Sequence, residues 1–263
     1  MSGGDETSYH ASVPSYDVII PARNEAATVG AVVHAARRSH GVGLVIVVDD
    51  GSTDDTAAIA AAAGAIVVST PGRGDKAMAM AAGVKRSIAG VIVFFDADIL
   101  HADPVHFEAL AEPVLNGPFQ MCCGLVDYGR MRNPLFQRLP PITGLRAVPR
   151  KIFESIPNEK LVGFQVEIMI NEVIARNRLP TAIRVLTGID HRSKVSKMGF
   201  LRGTRSHISM TFQLLACFRF VPLWTYWSYL STLVVLKPSE RSLDRRTEGD
   251  KQSPDESGLV TET

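Results

Sequence analysis

The sequence has few of the residues that build disulfide frameworks, structural zinc sites or strong electrostatic fields. Its 263 residues include three cysteines, Cys122, Cys123 and Cys217, and no CxxC pair. This pattern argues against a disulfide framework and a structural zinc site, and it favours a reducing compartment. The formal net charge is +1, so the chain as a whole has no field that would attract nucleic acid.

Long apolar runs are absent from both ends of the chain. Residues 1–14 are polar and lack the charged-then-apolar order of a signal peptide. Residues 237–263 are charged and almost free of large apolar side chains. We therefore expect two disordered ends and a cytoplasmic protein.

One aromatic and apolar run, residues 218–236, contains both tryptophans. It is interrupted by Arg219 and Pro222, and it is less uniform than a membrane span. It also follows a basic cluster within residues 192–205. This combination predicts helices over 206–236 that lie peripherally on the inner, anionic face of the cell membrane. A buried C-terminal helix or a homodimer interface is the alternative.

Apolar strands alternate with helical patterns over the first hundred residues. Strands are predicted at 16–20, 44–48, 65–68 and 91–95, with helices between them, the third over 76–87. Uninterrupted apolar strands separated by helices predict an α/β fold, with a mostly parallel sheet and helices on both faces. Ligands of such sheets bind beyond the carboxyl ends of the strands, and polar clusters follow these ends here.

The second half of the chain is less regular. We predict a strand at 121–126, a Pro/Gly-rich loop region over 133–150, an amphipathic helix over 164–178 and a strand at 182–186. Ser52 or Thr53 is expected to cap the second helix, and Asp103, directly before Pro104, is expected to cap the turn that follows it. The expected domain covers 15–205, with a nucleotide-binding half up to about residue 100 and an acceptor half after it.

Four polar motifs occur in order along the first half. They are VIIPARNE at 18–25, VVDDGSTD at 47–54, GRGDKA at 72–77 and FFDAD at 94–98. Together they resemble family-2 glycosyltransferases and their GT-A relatives, among them polyprenyl-phosphate sugar transferases and enzymes like glucosyl-3-phosphoglycerate synthase. The resemblance implies a GT-A fold and an enzyme that moves a sugar from a nucleotide-diphosphate sugar, UDP- or GDP-linked, to an acceptor.

Asp96 and Asp98 suggest a metal site. Spaced i, i+2 at a strand end, both carboxylates can reach the mouth of the sheet, and hard oxygen ligands suit Mg²⁺ or Mn²⁺. The alternative is that one of them only caps the next turn. The resemblance implies that Asp98 is the direct, catalytic ligand, that Asp96 lies nearer the ribose or a metal-bound water, and that His191 completes the metal shell.

The remaining donor contacts come from three loops. The resemblance places a base pocket in the first loop, with Pro21, Ala22, Arg23 and Glu25. Asp49 and Asp50 can accept hydrogen bonds from a base or a ribose hydroxyl, with helix capping as the alternative. The resemblance also places Lys76 near the base or diphosphate, and Arg73 can grip phosphate in bidentate fashion; solvated surface cations are the alternative. Asp75 before the lysine departs from the family pattern.

The sequence gives weaker signals for the residues that would contact the acceptor. Glu167 lies off the apolar stripe of its predicted helix, and the resemblance implies a general base or an acceptor-orienting carboxylate there. Asp127 is a competing candidate. Arg192, Lys194 and Lys197 belong to the basic cluster and resemble the segment that binds lipid phosphate in polyprenyl-phosphate sugar transferases.

Two transfer reactions fit these motifs. The first is inverting transfer to a lipid-phosphate or other acceptor at the cytoplasmic membrane face. The second is retaining transfer to a small phosphorylated or acidic acceptor. A sugar-phosphate nucleotidyltransferase fits less well, because the first strand lacks the Gly-rich loop of that class. A non-catalytic scaffold would have no reason to combine Asp96, Asp98 and Lys76.

Overall fold

The computed structural model describes residues 16–72, 74–127, 133, 137, 143–157, 159, 161, 166–191, 227 and 230–237. In the first half, the elements are β1 (Tyr16–Ala22), α1 (Val29–Arg37), β2 (Val42–Asp49), α2 (Thr56–Ala62), β3 (Ile66–Ser69), α3 (Lys76–Arg86), β4 (Val91–Phe94) and β5 (Ile99–Leu100). The later elements are α4 (Pro104–Leu115), β6 (Met121–Val126), β7 (Arg146–Pro149), α5 (Arg150–Glu154), α6 (Val166–Arg176), β8 (Thr181–Leu186), β9 (Asp190–His191) and β10 (Leu233–Val235).

Eight of these strands form one sheet, in the order β10-β8-β6-β7-β4-β1-β2-β3. Strand β7 pairs antiparallel with both β4 and β6, whereas the other pairings in this sheet are parallel. The separate pair β5–β9 is antiparallel. The predicted α/β fold with a mostly parallel sheet is confirmed.

Helices pack on both faces of the sheet. Along β1, Val18 and Ile20 pack with residues of α1 and α4 on one face, while Ile19 packs with residues of α3 and α6 on the other. This alternation follows from the two-residue period of a strand. Because both faces are buried, the strands of this sheet are mostly apolar and lack the polar alternation of a half-exposed sheet.

A buried carboxylate anchors the amino end of β1. Asp17 is 1% exposed, and its oxygens accept hydrogen bonds from Leu44 N at 2.7 Å, Ser87 Oγ at 2.7 Å, Ile88 N at 2.9 Å and Ala89 N at 3.1 Å. These bonds join β1 to β2 and to the turn between α3 and β4. The edge opposite the functional loops is therefore held by polar contacts as well as by packing.

Three predictions of local structure were wrong in part. The region 133–150 was expected to be a loop, but residues 146–149 form β7, because this segment pairs with two neighbouring strands. Helix α6 ends at Arg176, two residues before the expected end at 178, whereas residues 164 and 165 at its expected start lie outside the described residues. The residue at the N-cap of α2 is Asp55 rather than Ser52 or Thr53, since the hydroxyl of Ser52 instead accepts a hydrogen bond from Asn24 N at 3.0 Å.

The C-terminal apolar segment also departs from its prediction. We expected helices over 206–236, but residues 233–235 form β10, which pairs in parallel with β8 at the edge of the sheet. The pairing satisfies backbone groups of β8 that would otherwise be an open edge. Most of the predicted interfacial run, and the ends 1–14 and 238–263, lie outside the described residues.

The two adjacent cysteines of β6 are free thiols. Cys122 and Cys123 are both buried, and burial raises the pKa of Cys123 to about 11. Both thiols therefore stay protonated near neutral pH and act as small packing residues. Cys217 lies outside the described residues.

Candidate active site

The polar loops meet at the carboxyl edge of the sheet. Ala22 at the end of β1 is in register with Asp49 at the end of β2, and Asp49 is in register with Ser69 at the end of β3. Phe94 ends β4 opposite Ile19, so Asp96 follows at the same edge. Parallel pairing thus brings the motifs of the first half to one side of the molecule.

Asp96, Asp98 and His191 form a group that could hold one metal ion. Each offers a ligand atom, and these atoms lie within 4.8 Å of one another. Opposite ligands of one Mg²⁺ or Mn²⁺ lie about 4 Å apart, so the group has the size of a single-ion site. Two carboxylates and an imidazole are also a suitable donor set for such an ion. The assignment of these three residues as metal ligands stays a prediction, but their chemistry fits a bound Mg²⁺ or Mn²⁺ ion.

The short ladder β5–β9 brings His191 to the aspartates. Ile99, directly after Asp98, is paired with His191, and His191 Nδ1 lies 3.4 Å from Asp98 Oδ1. This hydrogen bond raises the pKa of His191, although burial opposes the shift. A cation bound here would compete with the proton for the imidazole.

Lys76 lies between two carboxylates. At the start of α3, its Nζ is 2.8 Å from Asp96 Oδ1 and 2.9 Å from Glu167 Oε1. Burial by itself would lower the pKa of Lys76, but the two carboxylates outweigh it and the pKa is raised. The ammonium therefore stays charged, and it links the DAD motif to the second half of the chain. Asp75, which departs from the family pattern, is the N-cap of α3 and accepts from Met78 N at 3.2 Å.

Glu167 points toward this site from the first turn of α6. The residue is 5% exposed, and its position off the apolar stripe is explained by the ion pair with Lys76. Its predicted role toward an acceptor stays a prediction. The competing candidate, Asp127, accepts a hydrogen bond from Asn133 Nδ2 at 2.8 Å after the end of β6.

Asp49 and Asp50 make different contacts. Asp49 Oδ1 accepts from Ser52 N at 3.2 Å, within its own turn. Asp50 Oδ1 accepts from Thr70 Oγ1 at 2.9 Å, and Asp50 Oδ2 lies 3.8 Å from Arg23 Nη1. Asp50 therefore joins the loops after β1, β2 and β3, where we predicted from the sequence that the nucleoside binds.

The first loop is held by a residue that the motif analysis left without a role. Asn24, with a positive φ of 55°, accepts from Thr53 N at 2.8 Å through Oδ1. Glu25 N donates to Thr56 Oγ1 at 2.8 Å. These bonds fix Pro21, Ala22, Arg23 and Glu25, the predicted base-pocket residues, against the second loop.

Two glycines allow the loop after β2 and the loop after β3 to touch. Gly51 and Gly72 both have positive φ, and a Cβ on Gly51 would lie 2.5 Å from Gly72 Cα. Side chains at these positions would separate the loops. Arg73 follows this contact but is not among the described residues, and the same holds for Arg192, Lys194 and Lys197.

Two site residues were missed by the sequence analysis because they lay in a predicted loop. Gly144 precedes β7, and a Cβ there would lie 2.2 Å from Asp96 Oδ1. The fully buried Arg146 donates to Thr143 O at 2.9 Å, Glu167 O at 3.2 Å and Asn171 Oδ1 at 3.3 Å. It thus holds the loop beside Asp96 against α6. Of these two residues, only Gly144 gave a signal in the sequence, because a glycine can mark a close approach of the backbone to another group.

The geometry and the comparisons lead to the same family. A sequence model described as Glycosyl transferase family 2 matches residues 17–176, more than half of the chain. The chain belongs to glycosyl transferase family 2. The predicted family and the predicted glycosyltransferase class are confirmed. No curated protein matches this family 2 chain.

Solved structures of glucosyl-3-phosphoglycerate synthase from Mycobacterium tuberculosis are similar to this family 2 chain. The complex with phosphoglyceric acid is 29% identical, with a TM-score of 0.58, covering 68% of this chain and 72% of that chain. The complex with Mg²⁺ and UDP is 30% identical, with a TM-score of 0.59 and the same coverage. A complex with Mn²⁺, UDP-glucose and phosphoglyceric acid is 29% identical, with a TM-score of 0.57 and the same coverage. The predicted GT-A fold is confirmed.

The predicted cofactors agree with these structures. The synthase structures contain Mn²⁺ or Mg²⁺ together with UDP, and the three residues described above form a group that could hold such an ion. None of the helices in the described ranges has both the length and the apolarity needed to span a bilayer. The predicted peripheral contact with the membrane surface stays a prediction.

Proposed function

We propose that this family 2 enzyme transfers a sugar from a UDP-sugar to a small phosphorylated acid, with Mg²⁺ or Mn²⁺ held by Asp96, Asp98 and His191. The observation that carries this proposal is the convergence of these three side chains at the carboxyl edge of the sheet, next to the buried Lys76–Glu167 pair. A metal group and a carboxylate from the acceptor half meet there, as a transferase requires.

The donor is proposed to lie across the loops after β1, β2 and β3. Asp50, held by Thr70, would accept a hydrogen bond from the nucleoside, and the close contact between Gly51 and Gly72 keeps the loops after β2 and β3 together beside it. Structures of the synthase, 29–30% identical to this chain, contain UDP or UDP-glucose, which favours uracil over guanine as the base.

The charges of the site suit a departing diphosphate. When bound, the cation would neutralise the diphosphate as its bond to the sugar breaks. Lys76 holds Asp96 in place at 2.8 Å, so this carboxylate is ordered before the donor binds. Preorganised charges of this kind stabilise a transition state because they need no rearrangement during the reaction.

The acceptor is proposed to bind on the side of α6. Glu167, fixed by Lys76 at 2.9 Å, would accept a hydrogen bond from the acceptor hydroxyl. A small phosphorylated acid is favoured because several synthase structures contain phosphoglyceric acid. A lipid-phosphate acceptor and a membrane-surface location rest on residues 192–205 and 218–236. Most of these residues lie outside the described ranges, and both ideas stay predictions.

The proposal is tested by turnover with matched donors and acceptors. UDP-glucose and GDP-mannose are each offered with phosphoglyceric acid or with polyprenyl phosphate in vesicles, with and without Mn²⁺. We expect Mn²⁺-dependent release of UDP with phosphoglyceric acid. Release of the nucleoside diphosphate only with polyprenyl phosphate would refute the proposed acceptor. Its release only from GDP-mannose would refute the proposed donor. Proton NMR of the new anomeric centre then distinguishes retention from inversion.

A further inference from the structure

The pairing that carries His191 to Asp98 is very short. Strands β5 and β9 have two residues each, and both residues of β9 are exposed. Two-stranded ladders are marginal in water without further support. The position of His191 therefore depends on contacts at the ends of the ladder.

One such contact is made by His106, which no part of the proposed reaction uses. The residue lies in the first turn of α4 and is 5% exposed. Its Nδ1 accepts from Asp103 N at 2.9 Å, and its Nε2 lies 3.1 Å from Thr187 O, 81 residues away in sequence. Because Nδ1 accepts, the ring proton is on Nε2 and is donated to Thr187.

The two bonds of this imidazole hold both segments that lead to the ladder. On one side, Asp98 is followed by β5, by His101 with a positive φ of 59°, and by Asp103 at the N-cap of α4. On the other side, Thr187 is followed by Gly188 with a φ of 83° and then by β9. His106 thus links the start of α4 to the turn that precedes His191.

We propose that His106 is a positioning residue: its hydrogen bond to Thr187 sets where β9 lies and so holds His191 against Asp98. The hydrogen bonds of the ring go to Asp103 and Thr187 rather than to the group formed by Asp96, Asp98 and His191, so its effect on that group is exerted through the backbone at 187–191. The cation part of this proposal rests on the proposed function, whereas the positioning part does not. Burial lowers the pKa of His106, consistent with a neutral ring.

Two substitutions separate the two bonds of the ring. In His106→Asn, the amide oxygen can replace Nδ1 and keep the bond from Asp103 N, but the side chain is too short to reach Thr187. In His106→Gln, the amide NH₂ can replace Nε2 and keep the bond to Thr187 O. A role limited to capping α4 predicts little effect in either variant, because asparagine and glutamine can each accept a hydrogen bond from Asp103 N. The positioning role predicts a clear effect in the asparagine variant alone.

Two readouts are measured on the full chain. The first is amide hydrogen exchange of residues 188–191 without metal, which we expect to be about 10-fold faster in His106→Asn and near wild type in His106→Gln. The second is Mn²⁺ affinity in the presence of UDP, followed by electron paramagnetic resonance of free Mn²⁺. Residues that orient metal ligands typically change affinity 10–100-fold, so we expect about a 10-fold loss in the asparagine variant.

Unchanged exchange at 188–191 in His106→Asn, or faster exchange in the glutamine variant alone, would overturn the proposal. A failure of the proposed metal site is recognised separately with His191→Ala. If that variant binds Mn²⁺ as the wild type does, while His106→Asn still accelerates exchange, the ligand assignment is wrong and the positioning role stands.

Discussion

Lys76 holds together two carboxylates that belong to different parts of the site. Asp96 comes from the proposed metal group and Glu167 from the acceptor side, and both lie within 2.9 Å of the same ammonium. Single substitutions in this cluster leave the remaining charges unbalanced. At the residue scale, we therefore test the site with changes at neighbouring positions, which leave Lys76, Asp96 and Glu167 in place.

The first change is Asp98→Asn. It keeps the volume of the side chain but removes the charge that would hold the cation, and we expect turnover to fall about 100-fold or more. Steady-state release of UDP measures this effect. The matched control is Asp55→Asn, since Asp55 is exposed and its side chain makes no helix-capping hydrogen bond. Equal activity of the two variants would contradict the metal assignment.

The second change is Gly144→Ala. The new Cβ would lie 2.2 Å from Asp96 Oδ1, so the carboxylate must turn away from its present position. Misplacement of a reacting group by about 1 Å can cost roughly 100-fold in rate, and we expect kcat/KM to fall about 10–100-fold. Gly90→Ala serves as control, because nothing lies within 4 Å of a Cβ there. Similar kinetics for both variants would show that Asp96 is not confined by Gly144.

At the scale of secondary structure elements, polar contacts fix the register of strands that apolar packing alone would leave less well defined. Asp17 joins β1, β2 and the turn before β4. His106 joins the start of α4 to the turn before β9. Both residues are buried, so losing the hydrogen-bond partners of either one lowers the free energy of unfolding.

Asp17→Asn replaces an acceptor of four hydrogen bonds with an amide that also carries donors. We expect the free energy of unfolding to fall by about 2–4 kcal/mol, because bonds to a charged acceptor are lost and donors face each other. Urea unfolding measures the change, and Asp55→Asn again provides the exposed control. A loss no larger than that of the control would mean that packing alone aligns β1.

The buried His106 predicts a pH dependence of stability. Because its pKa in the folded chain is below the ordinary value of 6.5, the unfolded chain binds the proton more readily. The contribution of His106 to the free energy of unfolding is complete above pH 6.5. It is lost as the pH falls from 6.5 toward the lower pKa of His106 in the folded chain. We expect the wild type to lose more unfolding free energy than His106→Gln between about pH 7.5 and 5.5.

Comparison of these two proteins cancels the titration of the other histidines. His191 has a raised pKa and contributes in the opposite direction in both proteins. Parallel stability curves for the wild type and His106→Gln over this range would show that His106 does not titrate differently on unfolding.

At the scale of the whole molecule, the site joins segments from both halves of the chain. The proposed donor loops follow β1, β2 and β3, whereas Glu167, Gly144 and His191 come from the second half of the chain. A ligand bound across both should therefore stabilise the complete fold, since it binds the folded chain and not the unfolded one.

We expect UDP and Mn²⁺ together to raise the free energy of unfolding by about 2.7 kcal/mol at 100 times the dissociation constant. UDP in the presence of a chelator should give a much smaller change, and Asp98→Asn should lose the Mn²⁺-dependent part. Thermal and urea unfolding report the effect. The same stabilisation with and without the metal would contradict the proposed site.

Much of the first half could be predicted from the sequence because its signals are local. The strand patterns at 44–48 and 91–95, the cap at Asp103 and the DAD motif all depend on residues within a few positions of each other. Strand β7 was missed because its residues, Arg146–Pro149, carry a charge and a proline. Burial of Arg146 against α6 and pairing with β4 and β6 override the local composition.

By itself, the sequence determined the family, the parallel core and the chemical types of the site residues. It did so because periodicity and short motifs are properties of neighbouring residues. The family resemblance predicted His191 beside Asp98, but only the tertiary structure decided that the β5–β9 pairing brings it there. Only the tertiary structure decided, too, that Lys76 pairs with Glu167 and that Gly144 lies against Asp96. These contacts join residues far apart in the chain, and they form because sheet order and helix packing bring those segments to one edge.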